Sequence, residues 1–283
     1  MRLAILAPTQ HSLYSRLVTH LAAQEPGIEV VTILVRSLWS LERLRGELRR
    51  DGPRLVDKVH RKLILGEKSY PRDDTETMAA LARSVRLPSR TMKDLARRLH
   101  VPLVTVRDLN DPKGEAALAK AQPDLIAFTG GGLIRENILG LARLGVLNCH
   151  SGILPRYRGM DVVEWAALEA KETRAEIGLT LHFMDRGVDT GPILLQSRAE
   201  LRPGDTLAAI RTRLEPAMVT LMLDGIRGLR DGSLKRTPQA PEAGRQYFIM
   251  HPRLKAVAAE RLQRSVAHRL PPPQGPARSS HSR

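Results

Sequence analysis

Hydrophobic residues recur along this chain in short blocks that alternate between strand-like and helix-like spacing. An apolar run at 2–7 (RLAILA) ends at Pro8, and leucines spaced four apart follow within 12–24, which is the spacing of one helix face. A β-branched block at 28–35 (IEVVTILV) then predicts a second strand. The order strand–helix–strand predicts the beginning of a parallel α/β sheet.

The same alternation returns after residue 100. It predicts strands at 102–106, 124–128, 145–149, 177–184 and 193–200, and helices at 115–121, 133–142, 160–170 and 205–230. Pro216 lies within the last helix and is expected to kink or reset it. Residues 244–270 predict a further strand and a basic helix. We therefore predict an α/β fold with a doubly wound, mostly parallel sheet, in which ligands bind at the carboxyl ends of the strands.

One segment interrupts the alternation. Residues 38–98 are rich in arginine, helical in pattern and too long for an ordinary connection between neighbouring strands. We interpret them as a basic helical insertion that covers a site or binds an anion, with a solvated helical excursion as the simpler alternative. The predicted organisation is a main domain at 1–235, a short C-terminal extension at 236–270, and a tail at 271–283 whose composition predicts disorder.

Composition narrows the class of protein. The 283 residues are 42% hydrophobic and 27% charged, which is typical of soluble globular proteins, and no run of 18 apolar residues predicts a membrane span. Cys149 is the only cysteine, which excludes an intrachain disulfide and a cysteine-rich metal site. With no secretory signal pattern, these features predict a cytoplasmic protein. The net charge of +15 is compatible with RNA or acidic small molecules as ligands, and equally with a solvated basic surface.

Two polar residues mark the end of the strand at 145–149. Asn148 and His150 are two residues apart, so their side chains are expected on one face of the strand, with Cys149 on the other. Polar groups buried at a strand end are costly without partners, so the pair is a candidate site. A structural hydrogen-bonding pair is the alternative.

A loop at 185–192 supplies two carboxylates, Asp185 and Asp189. Asp189 follows His150 by 39 residues, which leaves room for a helix and a strand to return to the same region. A carboxylate that reaches an imidazole raises its pKa and fixes its orientation. The alternative is that both aspartates only form Asx-turns.

Two separate blocks of the sequence resemble a known family. They are the stretch at 124–159 (DLIAFTGGGLIRENILGLARLGVLNCHSGILPRYRG) and the stretch at 178–196 (GLTLHFMDRGVDTGPILLQ). Their patterns, Asn-x-His-x-Ser/Gly-x-Leu-Pro-x-x-x-Gly and Asp-x-Gly-x-Asp-x-Gly-Pro-Ile, are similar to those of the formyltransferases. That family includes glycinamide ribonucleotide formyltransferase, methionyl-tRNA formyltransferase and formyltetrahydrofolate deformylase. The resemblance covers 100–235 well and the first strand–helix–strand loosely.

The resemblance implies a Rossmann-like formyltransferase fold, with 1–235 as its catalytic domain, and formyl transfer from 10-formyltetrahydrofolate to an amine. It implies catalytic roles for Asn148, His150 and Asp189. Asn148 and His150 would stabilise a tetrahedral oxyanion, and Asp189 would help to carry a proton. His182 matches none of these catalytic positions and is interpreted as structural.

The resemblance also implies binding sites for both substrates, without a metal ion. The walls of a folate pocket would be Thr129, Gly130, Gly131, Gly132, Leu133 and Ile134 in one loop and Asp185, Gly187 and Val188 in another. Arg156 and Arg158 lie on a loop that is near the acceptor in the family, and would bind an acceptor phosphate or carboxylate.

The chain departs from each of these relatives. Residues 7–12 (APTQHS) lack the glycine-rich phosphate loop of glycinamide ribonucleotide formyltransferase. The part after Gly232 is too short for the β-barrel of methionyl-tRNA formyltransferase, and the regulatory domain of the deformylase has no counterpart before 1–7. We therefore favour a small-molecule amine or an amino sugar as acceptor, rather than a nucleic acid, and expect no membrane partner. The alternatives are those three activities and, from another class, a catalytically silent folate- or RNA-binding module.

Overall fold

A seven-stranded sheet forms the centre of the molecule in a computed structural model, which describes residues 1–37, 75–130, 132–170 and 176–267. The strands are β1 Arg2–Ala7, β2 Glu29–Arg36, β3 Leu103–Val106, β4 Leu125–Phe128, β5 Gly145–His150, β6 Tyr157–Gly159, β7 Gly178–Phe183, β8 Ile193–Arg198 and β9 Arg245–Tyr247. The sheet order is β3-β2-β1-β4-β5-β7-β8, while β6 and β9 pair separately. All neighbours in the large sheet are parallel except that β7 is antiparallel to both β5 and β8. The predicted doubly wound, mostly parallel sheet is confirmed.

Helices cover both faces of this sheet. They are α1 Leu13–Ala22, α2 Met78–Ser84, α3 Met92–Arg98, α4 Pro112–Ala121, α5 Glu136–Leu139, α6 Val162–Glu169, α7 Leu207–Arg230 and α8 Pro252–Ala267. Along β1, Leu3 and Ile5 enter one core while Ala4 and Leu6 enter the other, so the strand is buried on both sides. A strand covered on both faces is typical of parallel α/β sheets.

The long helix α7 differs from the expectation. It continues through Pro216 for 24 residues, so the prediction that this proline resets the helix is wrong. A proline inside a helix costs about 3 kcal/mol. Burial of a large apolar side chain stabilises by about 1.5–3 kcal/mol, and α7 buries Leu214, Val219, Met222 and Ile226 among others. Tertiary packing therefore outweighs the local penalty.

Helix α5 is shorter than the predicted helix at 133–142, and a residue distant in sequence accounts for its later start. Asn110 accepts a hydrogen bond from the Arg135 amide at 2.6 Å and donates to the Leu133 carbonyl at 2.9 Å. These bonds fix the backbone that leads into Arg135, which is extended at φ −98° and ψ 171°, so the helix begins only at Glu136.

The structure describes only parts of the predicted insertion, C-terminal extension and tail. Within the predicted insertion at 38–98, α2 and α3 pack against α1, and 38–74 lie outside the described residues. The C-terminal extension supplies β9 and α8, and α8 packs along α6. The predicted tail at 271–283 and Gly131 also lie outside the described residues. None of the helices described here is long and apolar enough to cross a membrane.

Candidate active site

Three polar side chains share one face where β5 meets β7. Asn148 and His182 are directly opposed across the antiparallel pair, so their side chains lie on the same side of the sheet. Asn148 Nδ2 lies 3.2 Å from His182 Nε2, and His150 follows two residues along β5 on the same face. Asn148 also pairs with Phe128, the last residue of β4. The group therefore lies at the carboxyl end of β4, where ligands bind in doubly wound sheets.

Asp189 brings a carboxylate to this group. Its Oδ2 lies 3.4 Å from His150 Nδ1, and its Oδ1 lies 3.4 Å from both His182 Nε2 and Asn148 Nδ2. The Gly159 amide donates to Oδ2 at 2.9 Å. Asn148, His150 and Asp189 thus meet, as the sequence predicted, and His182 joins them.

The loop that carries Asp189 doubles back to reach its neighbours. Strand β7 ends at Phe183, which pairs with Leu147 rather than with His150. Asp185 shapes the turn, because its Oδ1 accepts from the Gly187 amide at 3.0 Å and from the hydroxyl of Thr190 at 2.6 Å. The two aspartates therefore differ: Asp185 forms the Asx-turn, and Asp189 faces the histidines.

Backbone strain accompanies this arrangement. Asp189 has φ +54°, a left-handed conformation that residues other than glycine adopt rarely. Such a conformation persists only where surrounding contacts hold it, and it is concentrated at functional sites.

Hydrogen bonds to backbone carbonyls fix the orientation of both imidazoles. His150 Nε2 lies 2.8 Å from the Tyr157 carbonyl, and His182 Nδ1 lies 2.8 Å from the Phe183 carbonyl. A carbonyl can only accept, so each of these nitrogens carries a hydrogen. In its neutral form, each ring therefore presents an unprotonated nitrogen toward Asp189. A proton taken up by His150 creates an ion pair with that carboxylate.

The electrostatics favour a neutral imidazole beside an ionised carboxylate. Burial lowers the pKa of His150, although the charge of Asp189 acts in the opposite direction. For Asp189, burial acts to raise the pKa, but the neighbouring His182, the charge that His150 would carry when protonated and the Gly159 amide together lower it. At neutral pH the site is therefore poised to accept a proton.

We expect the stability of the protein to fall as the pH drops below about 6.5, the ordinary pKa of histidine. Folded His150 has a lowered pKa and binds a proton less readily than the unfolded chain does. Its contribution is fully present above that ordinary value and is lost as the pH falls through the folded pKa. Urea unfolding from pH 7.5 to 5 (roughly the span in which histidine titrates) measures this slope. His150→Asn should flatten it, and an equal slope in both proteins contradicts the assignment.

The two loops predicted to bind folate lie side by side. Gly130 and Gly132 follow β4 with φ of +105° and +110°, a backbone conformation that favours glycine. Arg186 in the second loop forms an ion pair with Glu136 at the start of α5 at 2.9 Å, which joins that loop to the segment after the first. This ion pair therefore links the second loop to the chain that follows the first.

Within these loops the predicted residues have different environments. Leu133 is 69% exposed, whereas Ile134 is buried in the core. Thr129 is also buried: its hydroxyl donates to the Leu6 carbonyl at 2.7 Å and lies 2.7 Å from Ser15 Oγ. Thr129 and Ile134 anchor the first loop, and Gly132 and Leu133 form its exposed part.

The two predicted acceptor arginines also differ. The side chain of Arg156 is 54% exposed and pairs with Glu176 at 3.3 Å. Arg158 is only 6% exposed, and its guanidinium donates to Gln239 Oε1 and to the Ala240 carbonyl. An anionic ligand can reach Arg156 from solvent, whereas Arg158 joins β6 to the C-terminal segment.

Comparison with known proteins identifies the family of this chain. The family model described as formyl transferase matches residues 1–226. The chain belongs to the formyl transferase family. Among the curated relatives of this chain, methionyl-tRNA formyltransferase of Aromatoleum aromaticum is 38% identical over 128 residues. The match covers 45% of this chain and 40% of the relative. That of Anaeromyxobacter dehalogenans is 35% identical over 156 residues, 55% of this chain and 49% of the relative. The matched regions span less than half the length of either relative.

Solved structures share the fold of this formyl transferase family member. Glycinamide ribonucleotide transformylase 1 from Symbiobacterium toebii superposes with a TM-score of 0.52 at 18% identity, covering 85% of this chain and 94% of that one. A sugar N-formyltransferase from a Shewanella species gives a TM-score of 0.53 at 14% identity, covering 93% and 87%. At these identities the likeness shows the fold alone.

One member of the cluster was not expected to take part. His182 was interpreted as structural, yet it contacts Asn148 and Asp189. Antiparallel pairing of β7 with β5 places it there, and the sequence pattern of a strand does not reveal its direction. The available signal was a histidine in the same block as the Asp-x-Gly-x-Asp pattern.

Proposed function

We propose that this family member transfers a formyl group from 10-formyltetrahydrofolate to an amine, with a small molecule or an amino sugar as the acceptor. The observation that carries the proposal is the convergence of Asn148, His150 and Asp189 at the carboxyl end of β4, with the Asp189 carboxylate 3.4 Å from both the His150 imidazole and the Asn148 amide. These residues come from two distant segments and form a proton-accepting group beside an amide donor.

In the proposed reaction, one bond forms and one bond breaks at the formyl carbon. The amine nitrogen forms a bond to the formyl carbon, and negative charge grows on the carbonyl oxygen. Asn148 Nδ2 donates to that oxygen the hydrogen that otherwise points to Asp189 Oδ1 over a long 3.4 Å contact, and His150 stabilises the same charge as it becomes protonated. Asp189 and His150 together take the proton that the attacking nitrogen must lose. When the bond from carbon to the folate nitrogen breaks, the same pair returns a proton to that nitrogen. The products are a formamide and tetrahydrofolate.

The two adjoining loops suit the folate donor. Gly130 and Gly132 have no Cβ, which leaves their peptide groups accessible to the flat edge of a pterin. Leu133 presents a large apolar side chain to solvent at the same loop, where a ring system would cover it. Asp185, Gly187 and Val188 would form the facing wall.

The acceptor side is assigned to the segment after β5. Arg156 is exposed, and its partner Glu176 is a surface group that an acceptor phosphate or carboxylate can replace. Methionyl-tRNA is a second candidate acceptor, because the curated relatives that match at 35–38% identity act on it by name.

The direct test measures tetrahydrofolate release from 10-formyltetrahydrofolate with a panel of acceptors. The panel contains nucleotide-linked amino sugars, small primary amines, methionyl-tRNA and a sample without amine. We expect release to require an amine and to be fastest with a small one. Equal release without any amine would identify a hydrolase. Folate or RNA binding with no turnover on any acceptor would identify a silent binding module.

His182 contributes to the site through Asp189, so its removal should have a moderate effect. We expect His182→Ala to lower kcat about tenfold, because it removes a side chain that contacts both Asn148 and Asp189, and the loss of one hydrogen bond costs up to ~1.5 kcal/mol. Steady-state kinetics on His182→Ala, beside His251→Ala at an exposed position, checks this expectation. An unchanged kcat returns His182 to a purely structural role.

A further inference from the structure

The segment that follows α7 reaches the catalytic loop from outside the region matched by the family model, which ends at residue 226. Thr237 exchanges two backbone hydrogen bonds of 2.8 Å with Ile193, the first residue of β8. This bridge carries the chain past the loop at 184–192. Gln239 follows two residues later.

The side chain of Gln239 connects the catalytic loop to β6. Its Nε2 donates to the backbone carbonyl of Asp189 at 3.0 Å and to that of Gly191 at 2.6 Å. Its Oε1 accepts from Arg158 Nε at 3.4 Å and Nη2 at 3.3 Å. Both hydrogens of the amide are therefore used on the catalytic loop, and its oxygen is used on β6.

Hydrogen bonds therefore hold both the main chain and the side chain of Asp189. Gln239 binds its main-chain carbonyl, and the Gly159 amide, next to Arg158 on β6, binds its carboxylate. The loop is also pressed against β7, since a Cβ on Gly191 would overlap the Phe183 carbonyl. These contacts surround the one residue of the loop that has a left-handed backbone, at φ +54°.

We propose that Gln239 is a positioning residue, which holds the backbone of Asp189 in the conformation that aims its carboxylate at His150 and His182. The proposal rests on the proposed function, because the property it explains is the alignment of the proton acceptor. Without the two donated hydrogen bonds, the left-handed conformation of Asp189 loses its main-chain support. The loop can then relax, and the carboxylate moves away from the imidazoles.

Gln239→Glu distinguishes the hydrogen bonds that the side-chain amide donates from those that it accepts. A glutamate keeps the length and the acceptor for Arg158, but it offers no donor to the Asp189 and Gly191 carbonyls. We expect kcat for formyl transfer to fall by roughly tenfold to 10²-fold, the scale of a misplacement of about 1 Å, with both KM values little changed. The matched control is Gln246→Glu, the same change at an exposed position on β9, which should behave as wild type. Equal kcat in the two variants overturns the proposal.

Gln239→Met controls for the added charge and for folding. It removes the donors without introducing a carboxylate, so kcat should fall here as well. A loss confined to Gln239→Glu would assign the effect to charge repulsion and overturn the proposal. Thermal unfolding of each variant gives the folded fraction to which kcat is normalised.

A double variant distinguishes positioning from general support. In the Asp189→Asn background, Gln239→Met should have little further effect, because residues that act as one unit are not additive. A full additional loss means that Gln239 does not act through Asp189, and rejects the proposal. Turnover by the wild type distinguishes failure of the proposed function from failure of this inference. If the wild type transfers no formyl group, the proposed function is refuted. If it does transfer the group, and substitution of Gln239 has no effect, only the positioning role is refuted.

Discussion

Asp189→Asn should lower kcat/KM for formyl transfer by about 10²- to 10⁴-fold, the range for loss of a positioned proton acceptor. Asparagine has nearly the same shape and can still accept from the Gly159 amide, so the loop keeps its contact with β6. It carries no negative charge, however, and cannot pair with a protonated His150. The proton of the attacking amine then has no favourable destination. Release of tetrahydrofolate, measured over several acceptor concentrations, gives the ratio.

The control for this prediction is Asp231→Asn, the same change at an exposed aspartate that follows α7 and pairs with Arg230. It should turn over as the wild type does. Should Asp189→Asn retain more than about a tenth of the wild-type rate, the carboxylate would be outside the range for a proton acceptor, and the mechanism assigned to the cluster would be wrong.

Asn148→Ala should lower kcat by about 10²- to 10³-fold, equivalent to roughly 2.7–4 kcal/mol of transition-state stabilisation. The Nδ2 group is a donor fixed at the end of β5, and the charge it would meet exists only while the carbonyl oxygen is tetrahedral. The loss should therefore appear in kcat, with little change in the KM of either substrate. Single-turnover kinetics with saturating amine isolates the chemical step.

The division of the loss between kcat and KM tests the role of Asn148. A rise in KM with an unchanged kcat would mean that Asn148 binds the ground state and the transition state equally, which contradicts the oxyanion role. Truncation also removes the donor that lies 3.2 Å from His182 Nε2. A thermal unfolding measurement on the same variant gives the folded fraction needed to interpret the rate.

Ion pairs within the protein account for part of its arginine content. Arg202 binds Glu76 at 2.5 and 2.7 Å, and Arg227 binds Glu25 at 2.5 Å, so both arginines connect segments far apart in the sequence. Arg211 and Glu164 likewise join α7 to α6. Part of the arginine excess therefore serves the packing of helices, and net charge alone is weak evidence for a nucleic acid partner.

Local patterns in the sequence were enough to place most strands and helices. Strands β1, β4 and β5 lie within one residue of their predicted limits, because a short apolar run bounded by turn residues is a local property. Two departures from the predicted elements have nonlocal causes. Burial of one face of α7 outweighs Pro216, and Asn110 holds the backbone that would otherwise lengthen α5.

The candidate site divides in the same way. The alternation of a strand and the two sequence blocks were sufficient to nominate Asn148, His150 and Asp189 from the sequence. The direction of β7, and with it the place of His182 opposite Asn148, depends on which strand pairs with which. Gln239 lies 50 residues beyond Asp189, in a segment with no chemical pattern of its own. Spacing along a chain determines which face a side chain occupies, whereas only the packed tertiary structure decides which distant groups meet there.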